Sequence, residues 1–347
     1  MKILVKKGAV LLASSMLLVG SLWGSENEVK PVTLTLHHFL SSKAPPHTQL
    51  IEPWAKKLEA ISKGKIKVEI YPSMTMGGKP NELYGQAKDG VADIVYTVAG
   101  YTSGVFPRTE VLELPTIHTN SSLKTALAAR ENYDLIKEDF TKVKPLLIAL
   151  SGAYQLNTVD KKITTVDDLK ALKLRSPSRT GAWYIQELGA EPVGMPLPAV
   201  AQSFSKNAID GAALPMEIFP AFKFQELTKY TTEIEGGGGF GGSVLLLLMN
   251  QDRYDSLPKE LQKAIDDSTG IPLIEAWAKL ADDMEAVGKN LQIKSGGEVN
   301  TLSAEETKKF NEAGERVVQK WVKEMNEKGI DGQKIVDAVR KSMAGKQ

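Results

Sequence analysis

Apolar residues along the chain recur with two periods that take turns. VTLTLHHFL at 32–40 alternates and is rich in β-branched residues, which predicts a first strand. Leu50, Ile51, Trp54, Leu58 and Ile61 then recur at helical spacing, and Ile66, Val68 and Ile70 alternate again up to Pro72. MGGKPNELYGQAKDG reads as loop, helix and glycine stop, and ADIVYTV at 92–98 as another strand. A helical stretch near 122–139 leads into the apolar strand PLLIAL at 145–150. Strands alternating with helices argue for βαβ units and a mostly parallel sheet.

The rhythm restarts after Asn157. Thr165 and Asp168 have capping-box spacing and predict a short helix. LKLRS, a helix around 180–188, EPVGM, a helix around 199–206 and AIDGAALP follow. This restart predicts a second α/β lobe. SVLLLLMN at 243–250 is a continuous apolar run that suits a buried central strand and would complete the first sheet, so the chain crosses back. A long helical pattern runs from Pro258 to about Leu291, and Phe310, Val317, Val318, Trp321, Val322 and Met325 mark another amphipathic helix.

Composition narrows the function more than the fold. A formal net charge of +1 with basic residues spread along 347 positions offers no nucleic-acid surface. The absence of cysteine removes disulfides, thiolate metal sites and a cysteine nucleophile. MKILVKK followed by GAVLLASSMLLVG has the form of a secretory signal, cut between Ser21 and Ser25, so residues 1–25 are expected to be removed and the mature protein exported. The alternative is a membrane anchor, although the apolar run falls short of the ~20 residues a span needs.

The chemistry-bearing residues are few. GGGGFGG around residue 236 fits G-x-G-x-x-G only on paper, because a strand and not a helix follows it; a crossover between lobes is the better reading. His37 and His38 are neighbours on a strand and point to opposite faces, so no metal site or cofactor is expected, and His38 is instead a candidate ligand donor at a strand end. Tyr96, Tyr101, Phe106, Tyr154, Trp183, Phe219 and Phe240 recur where sheet ends should meet; most are expected in the core and two or three in a cleft. Glu217 is either an acceptor facing that cleft or a solvated loop charge. Arg175 ends the strand in LKLRSPS, the end at which open α/β sheets bind ligands, and its planar donors match a carboxylate. A surface arginine, or one paired with a nearby aspartate, is the competing reading.

Several segments taken together, in order and spacing, resemble one family: WAKKLEAISKGKIKVEIYPSMTMGG, ELYGQAKDGVADIVYT, DLKALKLRSPS, LGAEPVGMPLPAVAQSF, NAIDG and NQDRYDSLPKELQKAI. They are similar to the periplasmic solute-binding subunits of tripartite ATP-independent periplasmic (TRAP) transporters of the DctP type. The resemblance implies a two-lobed periplasmic binding protein, each lobe a mixed, mostly parallel sheet flanked by helices, with a long helix in the 258–291 region spanning both. Lobe I would take residues 26–153 and about 238–277, and lobe II residues 154–237 and about 278–347 with the C-terminal helices. It also implies that Arg175 grips the carboxylate of an organic acid, with Tyr154, Gln155, Glu217, His38, Thr97 and Phe219 as further candidate contacts. The partners would be integral-membrane TRAP subunits, the protein a periplasmic monomer and not an enzyme. A binding protein for an ATP-driven importer or a sensor, and then a secreted enzyme, are the alternatives. Two departures from the family pattern shape the expected ligand: Tyr154 stands where many members have a second arginine, and Leu214 where sialate and sugar-acid binders often have asparagine. Both remove polar groups, which points to a smaller or less polar monocarboxylate, aromatic acids included.

Overall fold

Two β-sheets, each with helices packed against it, share one chain that passes from the first to the second and back. A computed structural model describes residues 29–118, 121–234 and 239–345. The expected signal at 1–25 and part of the glycine run lie outside these residues. The first leg of the chain forms β1 (Val32–His38), α1 (Glu52–Ile61), β2 (Ile66–Tyr71), α2 (Leu83–Lys88), β3 (Ile94–Val98), α3 (Ser122–Glu131), the single turn α4 (Tyr133–Ile136) and β4 (Val143–Leu150). The second leg forms β5 (Gln155–Thr158), β6 (Lys173–Ser176), α5 (Arg179–Glu187), β7 (Glu191–Gly194), α6 (Val200–Ser205), β8 (Gly211–Leu214), α7 (Phe219–Phe222) and β9 (Tyr230–Glu233). The last leg adds β10 (Val244–Asn250), α8 (Gln251–Ser256), α9 (Lys259–Ser268), α10 (Ile271–Lys294), β11 (Glu298–Thr301), α11 (Ala304–Glu327) and α12 (Gly332–Ala344).

The first sheet has the order β2-β1-β3-β10-β4 and the second β11-β9-β5-β8-β6-β7. Each contains one strand antiparallel to both its neighbours: β10 between β3 and β4, and β5 between β8 and β9. These are the first strands the chain lays down after each crossing between sheets. The whole of β10 is buried, as its unbroken run of leucines requires. Residues 151–154 and 239–243 make the two crossings. They are tied together, since the Tyr154 N–H donates to Gly241 O at 2.9 Å and the Phe240 N–H to Tyr154 O at 2.9 Å.

The long helical pattern after Pro258 is two helices. Gly270 lies between them with φ of +84°, a conformation that favours glycine, and Pro272 suits the first turn of α10. The 24-residue α10 then packs on α3 and β4 beside the first sheet and on 216–218 and β11 beside the second, so it is the helix that spans both. The C-terminal region divides as well. α11 packs on α5 beside the second sheet, but α12, grouped with lobe II from the sequence, packs on α3 beside the first. The capping box at Thr165–Asp168 is present, and the turn it starts, Val166–Leu169, is a 3-10 helix.

Candidate functional site

The carboxyl ends of β1, β3, β6 and β8 converge on a cavity between the two sheets. That is the location expected for a ligand in open α/β sheets. The first sheet supplies Phe39 just after β1, Tyr96 and Val98 from β3, and Tyr101 beyond it. The second supplies Arg175 from β6, Leu214 from β8 and Glu217 from the turn that follows. α10 closes one side with Trp277, Leu280, Ala281 and Met284, spaced so that all fall on one helical face. Leu197 N–H donates to the Tyr101 hydroxyl at 2.9 Å, joining loops that extend from the two sheets.

Arg175 is 2% exposed. Its Nε donates to Met195 O at 3.0 Å and its Nη1 to Ala213 O at 3.2 Å, which fixes the plane of the guanidinium. Among the described residues no carboxylate pairs with it. A buried charge is ordinarily paired, because desolvating an ion costs several kcal/mol that only a counter-ion recovers. Here the counter-charge is missing on the side that faces the cavity. Tyr101 lies beside the guanidinium; burial pushes its hydroxyl up, and Arg175 pulls it part of the way back. Burial likewise raises Tyr96 and Tyr154, so all three hydroxyls stay neutral. Tyr154 bonds to Ser243 Oγ.

Glu217 is the acidic side chain among the described lining residues. Burial, and then the nearby Glu285 and Asp282, push its carboxyl up to about 8. Its Oε2 accepts the Gly152 N–H at 2.9 Å, and its own backbone N–H donates to Glu285 Oε2 at 3.1 Å. Burial raises Glu285 in turn to about 7.

Of the seven candidate contacts, Arg175, Tyr154 and Glu217 line the cavity, and four do not. His38 has both ring nitrogens engaged: Nδ1 accepts the Leu40 N–H at 3.1 Å, which leaves Nε2 to donate to His47 Nδ1 at 2.8 Å. Burial, then His47 and His37, hold His38 down at about 3, so it is neutral and has nothing to offer a ligand. Thr97 falls on the opposite face of β3 from Tyr96 and Val98, as strand alternation demands. Gln155 lies outside the lining and donates to Glu285 Oε1 at 2.7 Å. Phe219 is fully buried against Phe224, with ring centroids 5.9 Å apart.

Three of the seven aromatic candidates, Tyr96, Tyr101 and Tyr154, are in the wall; Phe106, Trp183, Phe219 and Phe240 are not. The larger omission was α10. Trp277, Leu280 and Met284 belong to the helical pattern after Pro258, and a stripe on a helix expected to cross both lobes is the sequence signal for their place in the wall. Among the described residues no cluster of three His, Cys, Asp or Glu side chains could hold a metal ion.

A cavity at the junction of two α/β lobes, lined by aromatic rings around one unpaired buried arginine, defines a solute-binding protein that takes an anionic small molecule. The chain belongs to the DctP family of bacterial extracellular solute-binding proteins, family 7, whose profile matches residues 36–325. It is 38% identical to a marine-metagenome TRAP solute-binding protein specific for aromatic acid ligands, solved with 3-hydroxybenzoate; 91% of this chain and 99% of that one superpose with a TM-score of 0.88. The TRAP solute-binding protein of Rhodoferax ferrireducens, solved with copurified benzoate, is 36% identical over 90% of this chain and 98% of its own, with a TM-score of 0.83. The 2,3-diketo-L-gulonate-binding periplasmic protein YiaO of Escherichia coli is 25% identical, covering 82% of this chain and 85% of its own. The chain is therefore a TRAP-type periplasmic solute-binding subunit. No helix among the described residues is long and apolar enough to cross a membrane.

Proposed function

We propose that this protein captures an aromatic monocarboxylate in the periplasm and hands it to integral-membrane TRAP subunits. The observation that carries the reading is Arg175: a guanidinium buried to 2% exposure, held by two carbonyls and facing a mainly apolar, aromatic cavity without a carboxylate of its own. The ligand's carboxylate supplies the missing charge through the two-pronged geometry that arginine favours. The ring lies among Phe39, Tyr96, Tyr101 and Trp277, where aromatic contacts add to simple burial. Tyr154 and Leu214 line the wall at the two positions where family members with more polar ligands carry arginine and asparagine. Relatives more than a third identical hold benzoate and 3-hydroxybenzoate, which agrees with one arginine in an apolar chamber.

Capture is a hinge closure of the two lobes about the crossings at 151–154 and 239–243, the motion of periplasmic binding proteins. The chain is exported by its N-terminal signal, works as a monomer and returns its ligand unchanged. Thermal unfolding with a panel of acids tests the reading. Benzoate-type acids at 100 times their dissociation constant should add about 2.7 kcal/mol. A dicarboxylate or sugar acid that stabilises the protein where no aromatic acid does would overturn it.

A further inference from the structure

The two charged groups of the cavity act on different parts of it. Arg175 pulls on the hydroxyls of Tyr101 and Tyr154, whereas the tyrosine that Glu217 pushes up is Tyr96. No ion pair joins Arg175 to Glu217 among the described residues, so a ligand anchored by its carboxylate on Arg175 meets Glu217 with another part of its body. One carboxyl oxygen of Glu217 is committed, since Oε2 accepts the Gly152 N–H at 2.9 Å. The other, Oε1, makes no hydrogen bond among the described residues, although the side chain lines the cavity and is 8% exposed. Its backbone is tethered to α10 through Glu285, which also holds Gln155, so the position of this oxygen is fixed. The same cavity wall includes Phe222, Trp277 and Met284, and the one polar hydrogen among these side chains, the indole N–H, is already spent on Leu150 O at 2.6 Å. An oxygen that opens on the cavity without a protein partner is available to a ligand, and a ligand that brings a matching hydroxyl gains over one that does not. Burial and the neighbouring acids leave Glu217 largely protonated at neutral pH, so it places no full negative charge against an incoming anion.

We infer that Glu217 reads a ring hydroxyl: the preferred ligand is an aromatic monocarboxylate with a hydroxyl on the part of the ring remote from its carboxylate, bonded to Glu217 Oε1. This rests on the aromatic-acid reading of the cavity given above. Within it, Arg175 selects for the acid and Glu217 for the substituent.

Calorimetric titration of the full chain with benzoate, 3-hydroxybenzoate and 4-hydroxybenzoate tests the assignment. The wild-type protein should bind one hydroxybenzoate at least about tenfold more tightly than benzoate, and Glu217→Leu should abolish that preference by lowering hydroxybenzoate affinity more than benzoate affinity. Glu217→Ala removes the same oxygen without filling the cavity with a branched side chain. It should also shrink the preference, and it decides the matter if the leucine variant does not fold. Equal binding of all three acids by the wild type, or an unchanged preference in a folded variant, overturns the inference and leaves the aromatic-acid reading standing. Failure of the wild type to bind any of the three overturns the earlier reading, and this one with it.

Discussion

Arg175 and Arg179 stand four residues apart and do opposite things with the same charge. Arg179 opens α5 and spends its charge inside the protein: Nε and Nη2 reach the two carboxylate oxygens of Glu110 at 2.6 and 2.5 Å, and Nη1 reaches those of Glu324 at 2.7 Å. Its guanidinium also lies over Trp183, 4.8 Å from the ring centroid. Arg175, on the preceding strand, is the more deeply buried of the two and has two carbonyls and no acid. A doubly matched arginine locks the loop at 109–113 and α11 onto α5 and needs nothing from outside. An unmatched one leaves a deficit that the proposed ligand's carboxylate would relieve. Arginine alone therefore does not mark a binding site; the sign of a site is an arginine whose counter-charge is absent.

This contrast can be broken most forcefully at Arg175. Arg175→Met should lower affinity for an aromatic acid by at least about 100-fold, since losing one partner of a buried charge pair costs roughly 2–5 kcal/mol. The same change should leave the unfolding temperature of the ligand-free protein level or raise it, because it deletes a desolvated charge that lacks a counter-ion. Calorimetry and thermal melts read the two effects separately, and a large drop in ligand-free stability would show that Arg175 is structural. Arg179→Met should do the reverse. Stranding the buried Glu110 should cost about 3 kcal/mol of ligand-free stability, while affinity changes less than about tenfold. Adding Glu110→Gln should recover part of that loss.

A smaller effect is expected from pH. Burial pushes Glu113 up to about 8, with Glu110 adding to the push and Arg179 opposing it. Glu217 reaches about 8 and Glu285 about 7. Because these folded-state values lie above those of an unfolded chain, the folded protein holds the extra protons and stability falls as pH rises through the window. His38 at about 3 and His118 at about 4 act the other way, but only below the ordinary histidine value of about 6.5. Between pH 6.5 and 8 the carboxyls act alone, and chemical denaturation should show stability declining steadily as pH rises across that interval. Glu113→Gln should flatten part of the slope, and a flat wild-type profile would mean that these carboxyls are not held protonated. The mildest change is Leu214→Asn, which puts an amide into the apolar wall. It should weaken benzoate binding by about threefold to tenfold and leave Arg179's pairs untouched, which calorimetry and thermal melts would read.

Arg175 was legible because LKLRSPS ends a strand at Ser-Pro and the flanking segments carry the family pattern. The βα rhythm and the return of the 244–250 strand were legible from periodicity and from an apolar run too continuous for a surface strand. The choice between neighbours on one strand was not. Thr97 and Tyr96 differ only in which face turns to the cavity, and alternation gives two faces without saying which is which. His38 misled because the partners that consume its nitrogens, Leu40 and His47, are fixed by a turn and a π-helix that leave no periodic trace. β5, β9 and β11, with sequences QLNT, YTTE and EVNT, are strands through their pairing and have little hydrophobic pattern of their own.

The place of β10 has a consequence for the order in which the protein assembles. Leu245 pairs with Val98 on one side and with Ala149 on the other, so the strand fills a slot between β3 and β4 from about a hundred residues downstream. Until that segment arrives, the first sheet has a missing middle, with β4 cut off from β3 and both edges exposed. The N-terminal lobe cannot mature ahead of its neighbour, because closing the large intervening loop must come first. Folding of this chain is thus expected to be slow relative to local helix formation, and to finish only after β10 has inserted between β3 and β4.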